Sequence, residues 1–119
     1  MNEAIVSEEC GLEDLAGLLE DETARTILTE TYGEPMSATT LSERCDASKP
    51  TVYRRLEELR ACELLVERTK LDPEGGHHHT LYSTTLDRIV VELDEDGLTF
   101  QVDRREPMAD RFTRLIEGM

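Results

Sequence analysis

The chain has 119 residues, of which 38% are hydrophobic and none is Trp. This is enough for one compact domain with a modest core, and pairing with a second copy would add buried apolar surface. Twenty-seven acidic against thirteen basic residues give a net charge of −14. That sign is opposite to the one expected of an ordinary DNA-binding protein, because DNA affinity rests largely on cations that meet phosphates.

The sequence shows neither a membrane span nor an export signal. No stretch approaches the ~20 consecutive apolar residues that a span needs. Residues 1–10 lack a basic segment followed by an apolar run. We therefore expect a cytoplasmic protein that does not contact a membrane.

The three cysteines, Cys10, Cys45 and Cys62, are odd in number and have no paired spacing. This pattern argues against a disulfide framework. Cys45 and Cys62 are predicted to be small buried groups on helices, with a redox-sensing thiol as the alternative.

The first predicted elements are helical. They are helices of residues 12–19 and 23–32, after a polar segment of residues 1–11 that we expect to be flexible. Apolar residues recur at helical spacing in both helices. Asp21 is typical of the N-cap of the second helix, and Gly33 ends it. An extended link follows, because Pro35 biases its predecessor away from helix.

A second pair of helices is separated by a tight turn. Ser37 caps a helix that runs to about Cys45, and Ser48 caps the next helix, which runs to about Cys62. Pro50 lies in the first turn of the later helix, where its missing N–H costs little. One stripe of that helix is apolar and is predicted to face the core. It consists of Val52, Leu56 and Leu59.

Two β-hairpins follow. Their predicted strands are residues 64–69 with 79–84 and residues 88–93 with 98–103. Residues 72–76 supply turn chemistry for the first hairpin, and the step from Asp96 to Gly97 supplies it for the second. Pro107 then starts a final helix, whose apolar side consists of Met108, Phe112, Leu115 and Ile116. The second hairpin and this helix have nothing obvious to cover, which suggests a dimer interface; alternatively, they complete the core of one subunit.

The later helix of the second pair also carries an outward polar stripe. Its members are Thr51, Arg54, Arg55 and Glu58. Arg can reach guanine in the major groove with two hydrogen bonds, and Thr can contact base edges or phosphate. The helix N-terminus carries a partial positive charge that suits a phosphate. Residues 44–70 have a net charge of +2, whereas the rest of the chain has −16. An Arg-bearing solvated face is the alternative, but this arrangement favours DNA.

The helix, turn, helix and hairpin carry a recognisable pattern. Residues 37–66 contain Leu-Ser, then Ser-x-x-Thr-Val-Tyr-Arg-x-Leu-x-x-Leu, then Leu-Leu-Val. In this they resemble the winged helix-turn-helix of archaeal and bacterial ArsR-like regulators, and the pattern also occurs in TrmB-like and related winged-helix groups. The resemblance covers roughly residues 12–86. Glu63 departs from the family, which often has Gly at that position.

The resemblance implies a recognition helix in the major groove, a hairpin wing beside the DNA backbone, and terminal helices that form a dimer. It implies a winged helix-turn-helix with a three-helix core and a β-hairpin wing over residues 12–86. With the second β-hairpin and the C-terminal helix that the residue pattern predicts over residues 87–119, the expected fold is α+β. The expected DNA-binding residues are Thr39, Thr40, Ser48, Lys49, Thr51, Tyr53, Arg54, Arg55, Arg68, Lys70, His77 and His78.

The predicted function is a sequence-specific DNA-binding transcriptional regulator that acts as a homodimer on double-stranded DNA. The alternative is a protein-interaction module with the same fold that does not bind DNA, which the net charge of −14 favours. Eleven Arg against two Lys, with abundant acidic residues, resembles proteins of salt-loving archaea. In concentrated salt, the long-range repulsion from DNA is screened.

We predict no metal site, no cofactor and no enzymatic activity. Metal-responsive ArsR proteins carry Cys-x-Cys-Asp in the helix before the turn, whereas residues 43–46 here read Glu-Arg-Cys-Asp and lack one thiolate. Three adjacent His at residues 77–79 cannot all face one metal, because neighbours in a strand alternate sides. DNA backbone contact and a plain polar turn are the other interpretations. No phosphate-binding loop or nucleophile motif is present in the sequence.

Overall fold

A computed structural model describes residues 10–71 and 78–106. Its elements in chain order are α1 (Leu12–Glu20), α2 (Glu22–Gly33), α3 (Ala38–Cys45), α4 (Lys49–Ala61), β1 (Leu65–Leu71), β2 (His78–Thr84), β3 (Leu86–Asp94) and β4 (Gly97–Arg104). β1 pairs with β2, and β3 pairs with β4, both antiparallel. The predicted α+β fold with two hairpins is confirmed. The predicted turn at residues 72–76, the final helix from Pro107 and the segment 1–9 lie outside the described residues.

Side-chain caps start three of the helices where the sequence predicts them. The Asp21 carboxylate accepts a hydrogen bond from the Ala24 N–H at 2.8 Å. The Ser37 and Ser48 hydroxyls do the same at the starts of α3 and α4. Each cap satisfies one of the backbone donors that a helix N-terminus leaves open.

The core is formed where the helices meet the wing. Val52, Leu56 and Leu59 of α4 are at most 1% exposed, so the predicted apolar stripe is confirmed. A single β-bridge supports the wing, because Met36 and Tyr82 exchange two backbone hydrogen bonds of 3.1 and 2.8 Å. The extended link before α3 is therefore tied to β2, and the helices and the wing share one hydrophobic core.

Two buried hydroxyls bond α2 to β2. The Thr31 and Thr84 hydroxyl oxygens lie 2.7 Å apart. The Thr84 hydroxyl also donates to the Leu28 carbonyl at 2.7 Å, and the Thr31 hydroxyl lies 2.8 Å from the Ile27 carbonyl. Both residues are 2% exposed. A buried hydroxyl without a partner would cost about 1–3 kcal/mol, so these contacts make the polar pair compatible with the core.

One face of the second hairpin is apolar along its whole length. Side chains alternate between the faces of a strand, so three directly opposed pairs share this face. The pairs are Ile89 with Val102, Val91 with Phe100, and Leu93 with Leu98. Phe100 is 2% exposed, and Ile89 and Val102 pack against the core. Toward the tip, in contrast, Val91, Leu93 and Leu98 are 56%, 76% and 57% exposed.

The hairpin returns to the helical body through β4 and the C-terminus of α4. Arg104 donates from Nε to the Glu63 carbonyl at 2.7 Å and from Nη2 to the Cys62 carbonyl at 3.1 Å. The Thr85 hydroxyl donates to the same Glu63 carbonyl at 3.0 Å. Cationic donors suit the partial negative charge at a helix C-terminus. The end of α4 is thus bonded to the start and the end of the second hairpin.

Cys10 and Cys62 form a disulfide, with their Cα atoms 5.0 Å apart. The prediction against a disulfide is therefore wrong for this pair. Cys10 was expected in a flexible segment and Cys62 as a buried free thiol, but both are bonded and at most 2% exposed. The sequence separation is 52 residues, so the pairing depends on the tertiary fold and leaves no local spacing to detect. Cys45 is free and partly buried.

The chain leaves α4 through a left-handed residue. The Leu64 N–H donates to the Leu59 carbonyl at 3.0 Å, and the Glu63 N–H donates to the Arg60 carbonyl at 2.9 Å. These two bonds define a Schellman motif, in which the residue after the cap is usually Gly. Glu63 adopts it with φ of 58°. The left-handed conformation at this position explains why the ArsR-like regulators, which the sequence resembles, often have Gly there.

We expect Glu63→Gly to raise the free energy of unfolding by about 1 kcal/mol, because Gly removes the steric cost of the left-handed conformation. Urea denaturation measures the change. The matched control is Glu57→Gly at an exposed position within α4, which should lower stability by about 1 kcal/mol. A destabilised Glu63→Gly protein would contradict the argument.

Candidate nucleic-acid interface

The turn between α3 and α4 is fixed by local hydrogen bonds. Asp46 ends α3 in a left-handed conformation with φ of 52°. The Ala47 N–H donates to the Ser42 carbonyl at 3.2 Å, and the Ser42 hydroxyl donates back to the Ala47 carbonyl. α4 begins immediately afterwards at Lys49. The angle between the two helices is therefore set by a short, internally bonded connection.

The first turns of α4 present polar side chains to solvent. Ser48, Lys49 and Arg54 are exposed, and Tyr53 is 50% exposed. Thr51 is partly buried, and its hydroxyl accepts a hydrogen bond from Ser48 at 3.0 Å. The structure thus brings together five of the residues that were predicted to face the groove.

Two further predicted residues lie in the first turn of α3. Thr39 is exposed. Thr40 is partly buried, and its backbone N–H and its hydroxyl both interact with the Ser37 hydroxyl, at 3.2 and 3.1 Å. Thr39 is therefore open to a ligand, whereas Thr40 is engaged in capping its own helix.

Ion pairs within the fold occupy at least three of the seven cations in residues 44–70. These pairs are Arg44 with Glu30 at 2.6 Å, Arg55 with Asp21 at 3.0 Å, and Arg60 with Glu67 at 3.3 Å. Lys49, Arg54 and Lys70 form no ion pair with any other described residue. The net charge of residues 44–70 counts all seven cations alike. It does not separate those that pair with carboxylates of the fold from those that remain available to a ligand.

Arg55 differs from the expectation that it lies exposed beside Arg54. Its side chain is 23% exposed, with Nε 3.0 Å from the Asp21 carboxylate and Nη1 2.9 Å from the Glu58 carboxylate. A rotation of about 100° per residue places Arg54 opposite the buried stripe of α4 and Arg55 on its flank. The outward stripe predicted from the sequence groups Arg54 and Arg55 together. The rotation between neighbouring residues could have shown that they differ in exposure. Arg55 joins α4 to the start of α2.

The electrostatics of Asp21 support this joint. Burial acts to raise the pKa of Asp21, but the hydrogen bond from the Ala24 N–H and the Arg55 guanidinium outweigh burial and hold that pKa below its usual range. The same pairing with Asp21 raises the pKa of Arg55. Both groups therefore stay charged near neutral pH.

The wing presents its cations on one face. Arg68 and Lys70 alternate with Glu67 and Thr69 along β1, and Lys70 lies opposite His79. Lys70 and His79 are exposed. Of the two predicted histidines, His78 is the first residue of β2, opposite Leu71, and His77 lies outside the described residues. The wing therefore carries a basic edge beside its predicted tip.

The Arg60–Glu67 ion pair fixes the wing relative to α4, at 3.3 Å. Glu67 lies opposite Tyr82 in the hairpin. Burial, together with the nearby Glu67 carboxylate, raises the pKa of Tyr82. The phenol therefore stays protonated and can donate to a carboxylate, so the root of the wing is held by polar as well as apolar contacts.

Neither a metal cluster nor a membrane helix is found in the described part of the chain. No group of three or more His, Cys, Asp or Glu side chains within residues 10–71 and 78–106 is arranged to hold a metal ion. Among the helices of these residues, none combines the length and apolar composition of a membrane crossing. Burial and the nearby Glu30 raise the pKa of the Cys45 thiol, which disfavours the thiolate that metals bind.

Comparisons with known proteins point to the same part of the chain. Residues 18–68 match the protein-family model described as "Helix-turn-helix domain". The matched range begins in α1, contains α2, α3 and α4, and ends in β1. No curated protein matches the chain. The match and the fold together support a winged helix-turn-helix architecture over this range.

We expect Arg55→Ala to lower the free energy of unfolding by about 1 kcal/mol at pH 7, because it removes a partly buried ion pair. Since the folded-state pKa of Asp21 is depressed, the pair stabilises the fold above the unfolded pKa of Asp. Its contribution is lost as pH falls through the folded pKa. Denaturation of both proteins between about pH 7 and pH 2.5 measures this difference.

The matched control is Arg54→Ala on the same helix. It should change stability by less than about 0.5 kcal/mol, because Arg54 is exposed and has no ion-pair partner among the described residues. Equal destabilisation by both substitutions would show that the Asp21 pair does not distinguish them.

Proposed function

We propose that the chain is a sequence-specific, non-enzymatic transcriptional regulator whose α4 enters the major groove of double-stranded DNA. The observation that carries the proposal is the exposed N-terminal half of α4. Lys49 and Arg54 form no ion pair with any residue that the structure describes, although the fold pairs other cations nearby. In helix-turn-helix proteins, the N-terminal residues of the second helix contact base edges.

The chemistry of these side chains fits the two parts of a DNA site. Arg54 offers the planar, bidentate donors that read guanine, and Lys49 offers a point charge for phosphate. Tyr53 is 50% exposed, and its hydroxyl can donate a hydrogen bond to a phosphate. We place Arg68 and Lys70 of the wing beside the DNA backbone.

With a net charge of −14, we expect the protein to bind DNA only at high ionic strength. At low ionic strength the acidic surface repels DNA over long distances, whereas in molar salt the Debye length is about 3 Å and only direct contacts count. We propose that the protein works in concentrated salt, as the composition of salt-loving archaeal proteins implies. We also propose that it belongs with the ArsR-like regulators.

The decisive experiment is a gel shift with purified protein and the DNA upstream of its own gene, from about 0.2 M to about 3 M KCl. A discrete complex that resists competitor DNA supports the proposal. No complex at any salt, from a protein that is folded, would contradict it and would favour the protein-interaction module.

We expect Arg54→Ala to weaken binding to the upstream site roughly 5- to 150-fold, because it removes a base contact, and to relax base preference at one position. Fluorescence anisotropy with labelled DNA measures the affinity. Lys49→Ala should weaken binding similarly on all sequences. The matched control is Arg88→Ala on β3, where the guanidinium is bound to Asp103 at 2.7 Å. Unchanged affinity of the Arg54 variant would refute the placement of α4.

We propose that two copies pair through the apolar face of the second hairpin. This face packs on the core at its base, but Val91, Leu93 and Leu98 remain exposed nearer the tip. A two-stranded hairpin is only marginally stable when uncovered. A second copy would extend the covered surface along the same face, and a twofold dimer would present two recognition helices to two half-sites.

We expect the double substitution Leu93→Ser/Leu98→Ser to shift the protein from dimer to monomer in sedimentation velocity at micromolar concentration. Both residues lie on the exposed part of the apolar face. Thr99→Ser, on the opposite face, is the control and should leave the dimer intact. Because Asp94, Glu95 and Asp96 crowd the turn, added KCl should strengthen the dimer. A dimer that survives the double substitution would exclude this face as the interface.

A further inference from the structure

The Cys10–Cys62 disulfide lies at the C-terminal end of the helix that we propose reads DNA. Cys62 is the C-cap of α4, and its carbonyl accepts a hydrogen bond from Arg104 at 3.1 Å. The next residue, Glu63, accepts from both Arg104 and Thr85. The bond therefore ties residue 10 to the point where α4, the first wing strand and the second hairpin meet.

We propose that Cys10 and Cys62 form a reversible thiol–disulfide site, and that the oxidised protein binds DNA more tightly than the reduced one. This inference rests on the proposed function. A regulator that acts on DNA inside the cell meets thiol reductants. Disulfides in such compartments are chiefly transient or redox-sensing, outside hyperthermophiles.

A cavity lies beside this bond, on the Cys62 side. Its volume is about 350 Å³, and Cys62 lines it together with one cation, Arg55, and four carboxylates, which belong to Glu13, Asp14, Asp21 and Glu58. Cys62 is 2% exposed, so attack on its sulfur from the cavity requires a local opening of the fold. Arg55 is paired with Asp21 and Glu58, but the lining keeps an acidic excess, which repels an anionic attacking group. A dithiol without other negative charges should therefore reduce the bond faster than glutathione, which carries two carboxylates.

The reaction is ordinary thiol–disulfide exchange. The thiolate of an external dithiol attacks one sulfur, which forms a mixed disulfide and releases the other cysteine as a thiolate that takes up a proton. The second thiol of the reductant then displaces the remaining protein sulfur. Two electrons and two protons pass to the protein, which gains two thiols, and the dithiol becomes a cyclic disulfide. An external disulfide of the same class reverses both steps.

Reduction removes a constraint on all four helices. The bond closes a loop with a sequence separation of 52 residues, and α1 to α4 lie within it. Loss of a crosslink of this length should lower Tm by about 10 °C or more. The freed end of α4 is then held by hydrogen bonds and apolar packing alone. We expect DNA affinity to fall at least about fivefold, the lower end of ordinary coupling between sites.

The test titrates the wild-type protein with dithiothreitol and oxidised dithiothreitol under anaerobic conditions. Alkylation and mass spectrometry give the oxidised fraction, and the same samples give Tm and affinity for the upstream DNA. Both should follow the oxidised fraction and recover on reoxidation. Cys45→Ser is the matched control and should keep the full response. Cys62→Ser should resemble the reduced protein and ignore the reductant.

The use of reduced wild-type protein keeps the test valid if Cys62→Ser does not fold. A bond that persists in excess dithiol until the protein unfolds would overturn the proposal, as would equal DNA affinity of the two redox forms. Absence of DNA binding in both forms would contradict the proposed function instead. In that case the thiol titration and Tm still test the reversible site, because they do not depend on DNA binding.

Discussion

Burial of one stripe of α4 is the constraint on which the rest of the structure depends. Val52, Leu56 and Leu59 are fully enclosed, so the rotation of the helix about its axis has one solution. That rotation decides which side chains meet solvent, which flank the core and which lie near the wing. The pairs of Arg55 with Asp21 and Arg60 with Glu67 then fix the helix against α2 and against β1.

Ion pairing within the fold, more than the number of cations, defines the candidate interface. An acidic surface gives every arginine potential partners, and an arginine with a partner at 3 Å is a poor ligand for phosphate or guanine. Arg54 escapes this competition because it points away from the core and its flanks. In a chain with so many carboxylates, the position of a cation on its helix therefore matters more for function than its presence in the sequence.

Periodicity and capping chemistry were enough to predict α2, α3, α4 and both hairpins, because these signals are local. The predicted caps at Asp21, Ser37 and Ser48 are confirmed for the same reason. The disulfide and the role of Arg55 were not predicted. Cys10 and Cys62 meet only through the tertiary fold. Arg55 was assigned by residue type, whereas its contact depends on the helix flank and on Asp21 of another element. The DNA-contacting roles remain predictions.

The second hairpin stands apart from the wing sheet and has two edges. Within residues 10–71 and 78–106, strands β3 and β4 pair only with each other, so among these residues nothing bonds to the backbone donors and acceptors along the outer side of either strand. Such edges invite strand addition by other chains, which leads to uncontrolled assembly. Asp94, Glu95 and Asp96 place three like charges at the turn, where an incoming copy would have to align. The acidity of this protein therefore also protects its solubility by keeping exposed strands from joining into extended sheets.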